Sequence, residues 1–248
     1  MLRATILWTF FYLCCSKELP SYIEKCVYTN DPDLAECIKD RIKVLMPKLE
    51  NGIPELKLPR LDPFSIPEME VNTGSGSNVA FQAVLRDLKI LGCKNATVEQ
   101  FQLNLKTQPS VFHLLVPNLS VIGSYEIKGK ILLFDLQAKG TFSANLTDVD
   151  ATTIFEVKVV EKNSKKYIQI PTDNVTVSTS FSTAVVNFEK LFEQQELNDQ
   201  INKVINENVQ DLAKEVAPIV HEAAHVVATG FMNPMFSDYS IDELFIIK

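Results

Sequence analysis

Apolar residues recur at helical spacing from Leu197 to Val227, through Ile201, Val204, Ile205, Val209, Leu212, Val216, Ile219, Val220 and Ala223. At 1.5 Å per residue, a helix of about thirty residues runs roughly 45–50 Å. An apolar stripe of that length has to be buried against something equally extended. Pro218 lies inside the pattern and should bend the helix, at about 3 kcal/mol unless packing absorbs the cost.

The partner for that stripe is legible upstream. From Val79 to about Val186 the chain reads as successive strands, with Thr, Val and Ile alternating with polar residues. Examples are Phe112–Val116, Tyr125–Ile131, Ile154–Val159 and Val175–Thr179, and Lys162-Asn163-Ser164-Lys165-Lys166 reads as a hairpin tip. Antiparallel strands in series give a sheet with one apolar face, and the helix covers it. The expected class is α+β: one antiparallel sheet wrapped along one long C-terminal helix. Its elongated interior is apolar, and any part the side chains leave unfilled would be a tube for a lipid-like molecule.

The N-terminal third carries a packing device. Asp31 is a good helix N-cap and Pro32 suits the first helical position. Leu34, Cys37, Ile38, Ile42, Leu45 and Met46 follow at helical spacing, until Pro47 ends the pattern. A Cys26–Cys37 bridge across that short loop would contribute roughly 3 kcal/mol. Prolines at 54, 59, 63 and 67 then keep the chain extended and irregular. Ile53, Leu56, Leu58, Leu61, Phe64 and Ile66 serve as anchors pressing this strap onto a larger body.

Residues 1–16 read as a secretory signal peptide, with Arg3, an apolar run from Ala4 to Cys15, and small residues near Ser16; residues 17–248 are then a single domain. Of the five cysteines, Cys14 and Cys15 would leave with the signal, so Cys26 and Cys37 pair and Cys93 stays single. N-glycosylation sequons at Asn95, Asn118, Asn145 and Asn174 fit a secreted, extracellular protein. The formal net charge of −7 argues against nucleic acid and anionic membranes as partners. No segment is long enough to insert into a bilayer.

His221-Glu222-Ala223-Ala224-His225 matches the H-E-x-x-H zinc-peptidase motif literally. On a helical wheel, His221 and His225 lie about 140° and 180° from Val216, at about 100° per residue, on the face expected to be solvated. A third ligand is missing: Phe231 stands where the longer motif has histidine, and His113 falls in a strand. No G-x-S-x-G elbow, phosphate loop or Cys/His pair appears elsewhere. The chain is not expected to be an enzyme, nor to need a metal or other cofactor.

The Cys26…Cys37 pair, Asp31-Pro32, the Gly52-Ile53-Pro54-Glu55-Leu56…Leu61-Asp62-Pro63-Phe64 strap and Val116-Pro117 form an ordered series of short motifs. Gly123-Ser124-Tyr125-Glu126-Ile127-Lys128-Gly129-Lys130-Ile131-Leu132, Gly140-Thr141-Phe142, Asn187-Phe188, Ile205-Asn206-Glu207-Asn208 and Asp242-Glu243-Leu244-Phe245 continue it. In this order they resemble the insect takeout and juvenile-hormone-binding protein family, nearly end to end. The resemblance implies a TULIP-type fold, a highly curved antiparallel sheet round a long C-terminal helix with an internal hydrophobic tunnel. It implies a secreted carrier of elongated apolar ligands, with family roles in hormone transport, circadian and feeding behaviour, and chemosensation. Cys93 has no partner for a second disulfide, which places the chain nearer the takeout branch.

The function expected is therefore a monomeric extracellular carrier for a juvenile-hormone-like terpenoid or a fatty-acid-like lipid. Candidate tunnel-lining residues are Leu212, Val216, Ile219, Val220, Ala223, Val227 and Phe231. Two other readings compete. One is a signalling or interaction protein whose filled core holds no ligand; the other is a zinc metallopeptidase using His221 and His225.

Overall fold

The structure is a computed structural model that describes residues 19–29, 32–72, 79–105, 108–131 and 134–247. The expected signal peptide and the Asp31 cap lie outside the described residues. Chain order runs β1 (Cys26–Val27), α1 (Pro32–Leu49), β2 (Phe64–Asn72), β3 (Val79–Leu91), β4 (Thr97–Gln102), β5 (Ser110–Ile131) and β6 (Phe134–Phe155). It continues through β7 (Lys158–Lys162), β8 (Lys165–Gln169), β9 (Val175–Ser180), β10 (Thr183–Phe188), α2 (Gln195–Glu207), α3 (Val209–Asp238), α4 (Ile241–Leu244) and β11 (Phe245–Ile246).

Two strands organise the main sheet. β5 and β6 are each 22 residues long and pair antiparallel from Ser110↔Phe155 to Ile131↔Phe134. The spans Phe112–Val116 and Tyr125–Ile131, expected as separate strands, are two ends of β5. Their outer edges are each covered by two shorter strands in tandem. β4 pairs one end of β5 and β3 the other; β9 pairs one end of β6 and β10 the other. β2 completes the seven-stranded sheet on the free side of β3. Strands this long cannot stay flat, because each residue adds right-handed twist. Irregular positions relieve the strain: the register shifts between Arg86 and Lys89 and between Val98 and Gln100.

The core accordingly forms two clusters. One gathers Phe64, Ile66, Met69, Leu88, Tyr125, Ile127, Leu136, Leu191, Ile201 and Ile205 under the β2–β3–β10 half. The other gathers Leu34, Ile53, Leu56, Leu58, Phe155, Ile168, Ile170, Tyr239, Ile241 and Leu244 at the opposite half. Five of the six strap anchors, Ile53, Leu56, Leu58, Phe64 and Ile66, are buried, so the strap ties the two halves together. It is less irregular than its prolines suggest. Pro54–Leu56 forms a 3-10 turn, and from Phe64 the chain enters β2, an edge strand where Pro67 costs no ladder bond. Asp62 secures the join by accepting the Gly92 N–H at 2.8 Å.

The ends of the chain meet. Cys26 and Val27 pair in parallel with Phe245 and Ile246, and the Cys26–Cys37 disulfide fastens α1 to this point. Pro47 does not stop α1, which runs on to Leu49. The hairpin tip expected at 162–166 is the β7–β8 turn, where Asn163 and Ser164 both take positive φ, as a type I′ turn demands.

The long C-terminal helix breaks, and not where Pro218 would have bent it. α2 ends at Asn208, whose side chain donates to the Val204 carbonyl at 2.8 Å while its own carbonyl accepts the N–H groups of Asp211 and Leu212. α3 then runs unbroken for 30 residues with both Pro218 and Pro234 inside it. Pro218 is exposed, so solvent can serve the carbonyl left without an N–H partner.

α2 is fixed to the sheet by a device absent from the apolar pattern. Asn198, Asn202 and Asn206 lie four apart on one helix face and bond the free edge of β10. Asn206 Oδ1 accepts the Val186 N–H at 2.8 Å and its Nδ2 donates to the Val186 carbonyl at 2.7 Å. Asn202 does the same for Phe188, both at 2.8 Å. Asn198 takes the Leu191 N–H and also donates to Phe188. Three primary amides thus replace the next strand of the sheet.

Candidate functional site

α3 connects the two clusters. Its earlier residues Val216, Ile219, Ala223, Val226 and Val227 pack on the β2–β3–β10 cluster. Its later residues Ala224, Ala228, Met232 and Met235 pack on the other, and Phe231 touches both. Phe231 also lies 5.7 Å from the Phe64 ring, joining helix to strap. The face buried by α3 therefore rotates along its length, following the coiling of the sheet.

Six of the seven expected lining residues, Leu212, Val216, Ile219, Ala223, Val227 and Phe231, share this interior. Val220 does not: it is 38% exposed and packs on neither cluster. A single apolar stripe drawn along a straight helix places Val220 inside, whereas the rotating contact leaves it at the rim. Val226, Ala224, Ala228, Met232 and Met235 also pack on the clusters, and the straight stripe left them out for the same reason. The methionines carried a usable signal, since flexible thioethers suit irregular apolar surfaces.

α3 is half-buried along most of its length. Between Leu212 and Phe236, no residue of α3 is fully buried, although the helix packs on a cluster at each end. Opposite it, Phe112 and Ala151 on the inner face of the sheet are likewise only partly buried. The interior polar groups are few. Among the described residues the buried polar side chains are Ser110, Thr153, Asn198, Asn202 and Ser240, with no Lys, Arg, Asp, Glu or His.

The histidines fall apart chemically. His225 is half-buried, not solvated, and its Nδ1 lies 3.2 Å from the Val175 carbonyl of β9. That contact spends one ring nitrogen on a backbone acceptor. His113 sits across the sheet, 2.8 Å from Asp150. No three His, Cys, Asp or Glu side chains cluster among the described residues in a way that could hold a metal ion.

A groove of about 460 Å3 opens on the outer surface, lined by Asp87, Lys89, Ile122, Gly123, Thr141, Phe142, Asn187 and Glu189. None of the expected lining residues reaches it. Beneath it, the Tyr125 hydroxyl donates to the Glu189 carbonyl at 2.6 Å. Burial, then the Glu189 charge, push its pKa up to about 12. Gly140 makes this packing possible, because a Cβ there would meet the Glu189 carbonyl oxygen at 2.0 Å.

The sequons divide by geometry. Asn95, Asn118 and Asn145 are exposed, while Asn174 is half-buried with its amide on Glu156 at 3.0 Å. Asn118 and Asn145 interlock across β5 and β6: Asn118 pairs with Thr147, and Asn145 with Ser120. Each acceptor asparagine thus faces the hydroxyl residue of the other's sequon. Cys93 packs on the core, and burial, then the Asp62 charge, push its thiol up to about 11.

The comparisons with known proteins agree on one lineage. Over 96% of its length the chain is 25% identical to the circadian clock-controlled protein daywake of Drosophila melanogaster, covering 92% of that protein. The daywake protein of Drosophila yakuba is 24% identical over the same shares. The crystal structure of Takeout 1 from Epiphyas postvittana superposes with a TM-score of 0.76 at 19% identity, over 90% of this chain and all of that one. Residues 5–246 match the haemolymph juvenile hormone binding protein family, and the chain belongs to it.

Proposed function

We propose that the protein is an extracellular carrier that holds one elongated apolar molecule along α3. The observation that carries this reading is the incomplete burial of the α3 residues packed between two hydrophobic clusters. An interior lined by Ile219, Ala223, Val227, Phe231 and Met232 is suited to a guest of the same apolar chemistry. Burial supplies the affinity: at about 25 cal/mol per Å2, a chain-like guest losing a few hundred Å2 of exposed surface gains several kcal/mol. The family name refers to juvenile hormone, a ligand of this elongated kind. The circadian naming of the daywake relatives makes clock-linked physiology the natural setting in which to look for the cargo.

Secretion is supported by the Cys26–Cys37 disulfide and by three exposed sequons. A carrier also accounts for the lack of a catalytic set better than a hydrolase does, since His225 is committed to the Val175 carbonyl.

Mass spectrometry of an organic extract of protein secreted from insect cells tests the reading. A stoichiometric lipid or terpenoid is expected, together with displacement of a bound fluorescent fatty-acid probe by that extract. No co-purified molecule and no probe binding would leave the filled-core interaction protein as the better account.

A further inference from the structure

The groove on the outer surface is separate from the interior along α3, and a carrier of apolar cargo has no use for it. It crosses four strands, from Asp87 and Lys89 of β3, over Ile122 of β5 and Ser143 of β6, to Asn187 of β10. Its volume of about 460 Å3 lies within the range of about 300–1,000 Å3 for pockets that hold small molecules. The side chains of Asp87, Lys89, Ser143 and Asn187 have no hydrogen-bond or ion-pair partner among the described residues, and Ile122 is 40% exposed. Asn145 stands at the edge of this groove. It lies two residues beyond Ser143 on the same face of β6, about 7 Å along the strand at about 3.4 Å per residue. In register it is flanked by Ser120 of β5 and by Val185 of β10, which is 60% exposed. Asn145-Leu146-Thr147 is a sequon. The Ser120 hydroxyl donates to Asn145 Oδ1, while Nδ2, the atom that would carry a sugar, has no partner among the described residues. The other sequons differ. Asn174 Nδ2 already donates to Glu156, and Asn118 stands opposite Thr147, farther from the groove.

We propose that Asn145 carries an N-linked glycan whose first sugars lie in this groove. The inference rests on secretion and is independent of the cargo. The linkage forms when Asn145 Nδ2 loses a proton and bonds to C1 of an N-acetylglucosamine. That carbon's bond to the lipid diphosphate of an oligosaccharide donor breaks, and the lipid diphosphate departs. Transfer takes place on the unfolded chain, and folding then brings the sugar beside the groove. The chemistry of the lining fits. Asp87 can accept from sugar hydroxyls, Lys89 can donate to sugar oxygens, and the Asn187 amide can do both. The C–H face and the acetamido methyl of the sugar would cover Ile122 and Val185, which otherwise face water. A lining with both signs of charge suits a neutral saccharide better than an ion, which either Asp87 or Lys89 would repel. The tether decides between a sugar on Asn145 and a free molecule of similar chemistry, because a linked partner binds intramolecularly and needs only weak contacts.

The test uses the full chain secreted from insect cells. After denaturation, a peptide N-glycosidase in heavy-oxygen water should convert Asn145 to a labelled aspartate, read by peptide mass spectrometry. On the native protein, release from Asn145 should be at least about tenfold slower, the effect of one net hydrogen bond holding the sugar down. Ile122→Ser combined with Asn187→Ala should remove most of that protection. Thermal midpoints give a second readout. Asn145→Gln removes the sugar, and Ile122→Ser should lower the midpoint by about 2–4 °C more in the glycosylated protein than in the Asn145→Gln protein. An unmodified Asn145, release as fast from native as from denatured protein, protection indifferent to the groove substitutions, or additive midpoint shifts would each overturn the proposal and leave the carrier reading standing. A chain that never reaches the medium would overturn secretion and, with it, both.

Discussion

Tyr125 and Cys93 are acids that the fold keeps protonated. The unfolded thiol ionises near its ordinary 9.0 and the unfolded phenol near 10.0, whereas burial moves them to about 11 and about 12. The folded state therefore holds these protons after the unfolded chain has lost them. Their contribution to stability is complete below pH 9 and declines as pH rises, through 11 for Cys93 and through 12 for Tyr125. Urea midpoints followed from neutral to strongly alkaline pH should fall across that window, and Cys93→Ala should flatten the part between 9 and 11. A midpoint independent of pH there would contradict the burial of both groups. At this scale the sequence was only partly readable. Cys93 as an unpaired cysteine followed from counting cysteines, but the burial of Tyr125 did not, because alternation says which residues of a strand face inward only once the register is known.

At the scale of elements, the sheet and the C-terminal helix were legible because both periodicities are strong, and the strap because its prolines separate regularly spaced apolar anchors. The break at Asn208 was not. Proline is the louder signal, yet its cost depends on whether the lost hydrogen bond faces solvent, which spacing alone does not reveal. The amide ladder on α2 was visible as three asparagines four residues apart and carried no apolar signal, so it read as an ordinary polar face. Its energetic role is testable. Asn202→Leu leaves the Phe188 N–H without its acceptor and the Phe188 carbonyl with Asn198 alone, and should destabilise the protein by about 1–3 kcal/mol in urea denaturation. A loss as small as that of an exposed surface substitution would show that α2 is held by its apolar face alone.

For the whole molecule, the proposed carrier role makes the interior along α3 something that can be closed on purpose. Ala228 packs on the α1–α4 cluster from α3 and is only partly buried. Enlarging it to phenylalanine should fill that end of the interior. Ala228→Phe is expected to lower probe affinity at least about tenfold with the thermal midpoint kept or raised, since filling a void adds contacts. A packed core would respond in the opposite way, with overpacking strain of about 1–3 kcal/mol and no binding to lose. The architecture was legible in the sequence because helix and sheet must cover one another. Which residues of α3 meet each cluster was not, because that depends on how the buried face of α3 turns along its length.

The asparagine ladder has one more consequence. At one half of the seven-stranded sheet the outer strands are β10 and β2, and an unpaired margin invites a strand from another molecule. On the β10 side that invitation is withdrawn by the amides of α2. On the β2 side, Pro67 lacks a donor and Glu68 and Glu70 repel a like copy. Detaching α2 would therefore do more than soften the fold: it would uncover a template for fibril growth, so the same three amides also act as guards against aggregation.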